Sequence, residues 1–279
     1  MERLLRSQII VSLCAIAFAA ETYLATGLPT DPWGLILVFS STLLLYSIAQ
    51  LRFDISRAIM GNIRLSLTGD RMNVFLAAIS LIITLPLLTQ INPLGQLVYL
   101  IISLSAILYV MPFRFKGRNV SGLREIPVFK NILLSAVWAF ATVILPFSFT
   151  GELQYDDQIL FMALRRFLFV YSLTVIFDIR DQEHDRRSGF RTLPMSVGVN
   201  NTKALAIGAL IMFLVLTVTD PAISTSAVMH YQEALIFSAL ITMALIMLAD
   251  ARRKNAYYIV IVDGSMIMQF LVVIAFSLI

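Results

Sequence analysis

Residues 178–194 read Asp178-Ile179-Arg180-Asp181-Gln182-Glu183-His184-Asp185-Arg186-Arg187-Ser188-Gly189-Phe190-Arg191-Thr192-Leu193-Pro194, directly after a long apolar run. Asp178, Asp181 and Asp185 stand at i, i+3 and i+7. On a helix they fall within about 60° of each other, so three carboxylates share one face. Three acids at the mouth of a membrane helix are costly unless a positive group meets them. A divalent cation carrying a diphosphate answers that need. The rival reading is a solvated loop whose acids pair with Arg180, Arg186 and Arg187.

The chain around this stretch is far more apolar than a soluble domain. Of 279 residues 59% are hydrophobic and only 14% charged, with mean hydropathy +0.85. Such a balance belongs to integral membrane proteins. Nine apolar runs approach spanning length, at about 8–27, 33–51, 73–90, 94–111, 131–149, 158–177, 203–219, 232–249 and 257–278. Turn residues such as Asn92-Pro93 and Asp220-Pro221 punctuate them. Cys14 lies in an apolar run and has no second cysteine to pair with.

Charge sorts by side. Loops 52–72, 112–130, 178–203 and 250–256 carry the Lys and Arg, whereas 28–32, 91–93, 150–157 and 220–231 carry none. This positive-inside pattern places the N-terminus and the Asp-rich loop in the cytoplasm. The expected setting is a bacterial cytoplasmic membrane, with residues 1–279 forming one transmembrane domain. The net charge of +4 is spread over several loops and gives no nucleic-acid signature. Arg3, Arg6, the first apolar run and Ala19-Ala20-Glu21 also fit a cleavable signal peptide. A retained first helix is expected, because a polytopic protein needs no separate signal.

The motif beginning at Asp178, with Gly189, Arg191, Thr192-Leu193-Pro194 and Gly198, resembles the second Asp-rich motif of the UbiA superfamily of intramembrane prenyltransferases. The stretch 108–118, with Tyr109, Pro112 and Lys116, is similar to that family's helix 4 exit, and Lys130-Asn131 to the start of its helix 5. The resemblance implies an all-α fold of nine transmembrane helices bundled around a central cavity. It also implies Mg2+-dependent transfer of a prenyl group from an isoprenyl diphosphate to an aromatic or lipid acceptor within the lipid bilayer. A UbiA-type terpene cyclase and a non-catalytic protein of the same fold are the alternatives. The family's first motif, Asn-xxx-Asp-xxx-Asp on helix 2, is reduced here to Tyr46, Gln50 and Asp54 at i, i+4 and i+8. Arg64 and Gly69 follow where the family has related residues.

By this resemblance Asp178, Asp181, Asp185 and Asp54 are the expected metal ligands and catalytic carboxylates. Arg64, Lys116 and Arg191 are the expected diphosphate contacts, with Gln50 and Tyr46 beside them. Tyr171, seven residues before Asp178, is expected to line the cavity deeper in the membrane. Arg165 and Arg166 fall in mid-run and call for buried acidic partners. Glu21 is one such partner, whereas Asp263 lies too near the cytoplasmic end.

Overall fold

The computed structural model describes residues 8–59, 67–110, 113–115, 118–120, 128–150, 157–187, 192–221, 223 and 226–278. They form helices α1 (Ile9–Thr26), α2 (Pro32–Ile59), α3 (Leu67–Leu88), α4 (Pro93–Val110), α5 (Phe129–Ala139), α6 (Leu145–Thr150), α7 (Asp157–Arg187), α8 (Leu193–Val197), α9 (Val199–Thr219), α10 (Tyr231–Met247) and α11 (Gly264–Ser277). A π-helical turn, Phe140–Ile144, joins α5 to α6, and a second, Tyr257–Val262, leads into α11. Between α4 and α5 lies a short antiparallel ladder pairing Phe113 with Val120.

Among the described residues, seven helices are long and apolar enough to cross a membrane. Pro93–Ile107 and Tyr231–Met247 are shorter apolar helices. The nine expected runs thus resolve into seven full spans and two short ones. Large apolar side chains such as Phe75 (60% exposed) and Ile82 (70%) point outward. Lipid tails solvate such faces as readily as a protein interior would, so the bundle need not hide them. The protein is an integral membrane protein.

Helix α7 is the axis. Its spanning window is 61% buried, against 22% for α3 at the periphery. It packs on α5 and α9, α9 on α10, α10 on α11, α11 on α1, and α1 on α2, closing a ring around an internal cavity. Phe18 of α1 meets Phe169 of α7 and Trp138 of α5 edge to face, at 5.8 and 6.4 Å between ring centroids. Helix α1 is therefore an integral wall of this core.

Two sequence expectations change here. The segment after residue 177 is not a loop: α7 continues for 31 residues, to Arg187. At 1.5 Å per residue this exceeds a hydrocarbon layer of about 30 Å, so the Asp-rich end rides on a helix that outruns the apolar slab. Likewise α2 runs to Ile59 and α3 starts at Leu67, so loop 52–72 is much shorter than the charge pattern implies. Gly198, at φ +84, separates α8 from α9 in a conformation that side chains disfavour.

The mid-run arginines are met as membrane burial demands. Arg166 Nη1 donates to Glu21 at 3.2 Å, and Gln269 Nε2 and the Tyr231 hydroxyl donate to the same carboxylate at 3.1 Å. The Arg166 guanidinium also lies 3.8 Å above the Phe18 ring. Arg165 pairs with Asp220, a partner the sequence reading did not name because it lies 55 residues away beyond α9. Removing one member of such a buried pair strands the other. Arg166→Leu should lower the unfolding free energy by about 3 kcal/mol, measured by denaturation in detergent; an unchanged midpoint would refute that account.

Candidate functional site

Helix α7 presents Val170, Leu173, Thr174, Phe177, Asp178 and Asp181 to a cavity of about 390 Å3. Opposite them stand Tyr46 and Gln50 of α2, Lys130 and Asn131 of α5, and Asp263 at the head of α11. Spacings of three and four residues put the α7 set on one helical face. Tyr171 falls at the edge of that face. It does not line the cavity and instead stacks on Phe167, with centroids 6.0 Å apart. The expectation that it lines the cavity is corrected accordingly.

Asp178 is 3% exposed and heavily engaged. Lys130 Nζ lies 2.6 Å from Asp178 Oδ1 and 3.7 Å from Asp185 Oδ2, and Asn131 Nδ2 donates to Asp178 Oδ2 at 3.0 Å. Asp181 accepts two bonds from the Arg180 guanidinium, at 2.7 and 2.9 Å. That guanidinium also covers the Phe177 ring at 4.5 Å. Val128, immediately before α5, adopts φ +66, a strained value for a β-branched residue. The strain sits two residues before Lys130, at the turn that delivers Lys130 and Asn131 to the carboxylates.

Of the residues expected from sequence, Asp178, Asp181, Gln50 and Tyr46 meet in one cavity, and Asp185 joins through Lys130. Asp54 lies on α2, but its side chain is outside the described residues, as are Arg64, Lys116 and Arg191 entirely. Lys130, Asn131, Arg180 and Asp263 were not singled out as site residues. For Lys130-Asn131 the signal was present, in its likeness to the family's helix 5 start. Arg180 was named only as a pairing partner of the acids in the rival loop reading, and it does pair with Asp181 beside it; Asp263 gave no signal, because its approach to the cavity from another helix leaves no sequence spacing.

A second cavity, of about 500 Å3, is lined by residues such as Val38, Leu45, Ile102, Leu133 and Leu145. It shares Tyr46, Tyr109, Leu134 and Trp138 with the first, so the two are contiguous. The half-exposed Ile48 and Ile107 belong to its lining, which therefore opens between α2 and α4 toward the apolar exterior. Carboxylate oxygens are the ligands a hard divalent cation prefers, and the donor chemistry of Asp178, Asp181 and Asp185 fits one. Among the described residues no three His, Cys, Asp or Glu side chains are gathered closely enough to hold a metal as they stand. In this arrangement Lys130 pairs with Asp178 and Asp185, and Arg180 with Asp181. Lys130→Met should destabilise the fold by about 3 kcal/mol by stranding Asp178. Lys130→Met combined with Asp178→Asn should recover more than about 1 kcal/mol of that, and purely additive losses in chemical denaturation would refute the pairing.

The fold has close structural counterparts. A UbiA homologue from Archaeoglobus fulgidus bound to GPP and Mg2+ superposes with TM-score 0.64 over 98% of this chain and 99% of its own, at 14% identity. A UbiA homologue from Aeropyrum pernix K1 in its apo form gives 0.62 over 96% of each chain, at 16% identity. A structure of digeranylgeranylglyceryl phosphate synthase gives 0.59 over 99% of each chain, at 17% identity. No curated protein matches the sequence. The model of the UbiA prenyltransferase family matches residues 67–261, which include the second Asp-rich motif and most of the cavity wall. With that match over more than half its length, the chain belongs to the UbiA prenyltransferase family.

Proposed function

We propose that this protein transfers a prenyl group from an isoprenyl diphosphate to a hydrophobic aromatic or lipid acceptor within the membrane, with Mg2+ as cofactor. The observation that carries this reading is the join of two unlike cavities. A polar one holds Asp178, Asp181 and Lys130, and an apolar one continues from it past Tyr46 and Trp138. That division matches a molecule with a charged head and a long hydrocarbon tail. The Archaeoglobus fulgidus relatives bound GPP or DMAPP together with Mg2+.

Asp178, Asp181 and Asp185 hold the metal in this proposal, joined by Asp54 from α2. Bound Mg2+ supplies a Lewis acid for the charge that builds on departing diphosphate oxygens. Arg64, Lys116 and Arg191 serve as diphosphate contacts. Lys130 and Arg180 join them, since each is a cation already at the carboxylates and free to exchange an Asp partner for a phosphate oxygen. Gln50 offers a neutral oxygen and an amide donor beside the head group. Tyr46, Trp138 and Leu134 close the passage between the cavities with apolar and aromatic surface, which keeps water from an allylic cation.

Purified protein in lipid, given Mg2+ and allylic diphosphates of increasing length, should release diphosphate and yield a prenylated product by mass spectrometry. Asp178→Ala and Asp181→Ala should each lower the release at least about 100-fold. Full activity in both would overturn the site assignment. A hydrocarbon formed without acceptor would identify a cyclase instead. Chelation of Mg2+ should stop turnover and its return restore it.

The positive-inside pattern puts the carboxylates on the cytoplasmic side. On a Cys14→Ala background, an impermeant maleimide applied from outside should label Gly151→Cys but not Gly117→Cys. The opposite pattern would invert the topology.

A further inference from the structure

The cavity holds a third carboxylate that the metal and diphosphate assignments do not use. Asp263 lines it together with Ile259 and Met266. The three stand at i, i+4 and i+7, on the face that the π-helical turn Tyr257–Val262 hands on to α11. Such turns insert an extra residue and re-aim the side chains that follow. The segment is anchored by its backbone, where Cys14 Sγ donates to the Asp263 carbonyl at 3.3 Å.

The three carboxylates differ in what they touch. Asp178 is taken by Lys130 and Asn131, and Asp181 by both arms of Arg180. Among the described residues the Asp263 carboxylate makes no hydrogen bond and no salt bridge. Its charged neighbour is Arg180, already committed to Asp181, and Tyr46 lines the same cavity. Tyr46 is one of the four residues shared by the two cavities. Asp263 therefore belongs to the polar cavity, which adjoins the apolar one where a polar head would end and an apolar tail begin. The α2 wall at this depth is neutral, carrying Tyr46 and Gln50.

We propose that Asp263 supplies the fixed negative charge that faces the allylic carbon of an isoprenyl diphosphate as its head group departs. This rests on the prenyl-transfer reading above. In that step the C1–O bond breaks and its electron pair leaves with the diphosphate oxygen. Positive charge spreads over C1 and C3 of the allyl unit. Asp263 forms no bond to carbon and exchanges no proton. It lowers the energy of the cation through its field, which is strong where water is scarce and needs no reorientation.

The test needs no acceptor. Geranyl diphosphate carrying heavy oxygen in the C1–O–P bridge is incubated with Mg2+ and the full-length protein in lipid. Ionisation followed by return scrambles the label into non-bridging positions, which mass or phosphorus spectroscopy reads. Binding is followed separately by the fluorescence of Trp138, which lines both cavities. The other tryptophan, Trp33, is 55% exposed and lines neither cavity.

Asp263→Asn, which keeps shape but not charge, should slow scrambling about 100-fold while donor affinity stays within about threefold. Asp263→Glu should restore at least about tenfold of the loss. Scrambling unchanged in Asp263→Asn overturns the proposal, and so does a parallel loss of donor binding. Asp178→Asn should instead abolish binding. A wild-type protein that binds the donor yet never scrambles it overturns the prenyl-transfer reading and this proposal together. Scrambling in wild type and Asp263→Asn alike overturns this proposal alone.

Discussion

A charge inside an apolar bundle must be met by another, and α7 carries such charges at both ends. Near its start Arg165 and Arg166 point into the bundle; near its end Asp178 and Asp181 do the same. Three of them find their counter-charge on a segment remote in sequence, Glu21 on α1 for Arg166, Asp220 beyond α9 for Arg165 and Lys130 on α5 for Asp178, whereas Asp181 pairs with Arg180 beside it. The hydrophobic effect cannot drive helix association in lipid as it does in water, so these directional pairs and close aromatic contacts fix which helix sits where. With α7 fixed, α1, α5, α9 and α11 have defined places around it, and the cavity is what remains between them.

The two ends of α7 use the same physics for different purposes. The cluster nearer the start of α7 is tightly packed: Arg166, Gln269 and Tyr231 all donate to Glu21 around a space of only about 10 Å3. The cluster nearer its end borders a cavity of about 390 Å3. There the cations pair with carboxylates that a divalent metal also prefers. Lys130 and Arg180 thus stabilise the fold by pairing with Asp178, Asp185 and Asp181. In the proposed reaction they exchange those oxygens for phosphate as the carboxylates turn to metal, so that Asp178 and Asp181 keep a positive partner in both states.

Much of this architecture was legible in the sequence because its signals are local. Apolar runs of spanning length, the alternation of Lys and Arg between loops, and the i, i+3, i+7 acids of α7 each depend on a few neighbouring residues. The departure of Tyr171 from the cavity was not legible, because it depends on which part of α7 its neighbours cover. The family's helix 2 motif shows the same limit: the change from Asn and Asp to Tyr46 and Gln50 is plain in the sequence, whereas the carboxylate that Asp263 brings to their cavity is not.

The sequence by itself determined that this is a membrane-embedded helical protein, and where three carboxylates line one helix face. These follow from composition and periodicity, which are properties of a single segment in its solvent. Only the tertiary structure decided that Lys130 and Asn131 serve Asp178, that Asp220 answers Arg165, and that Asp263 enters the cavity. Those are meetings of segments from 47 to more than 80 residues apart. No spacing rule links such positions, because what joins them is the packing of helices in three dimensions.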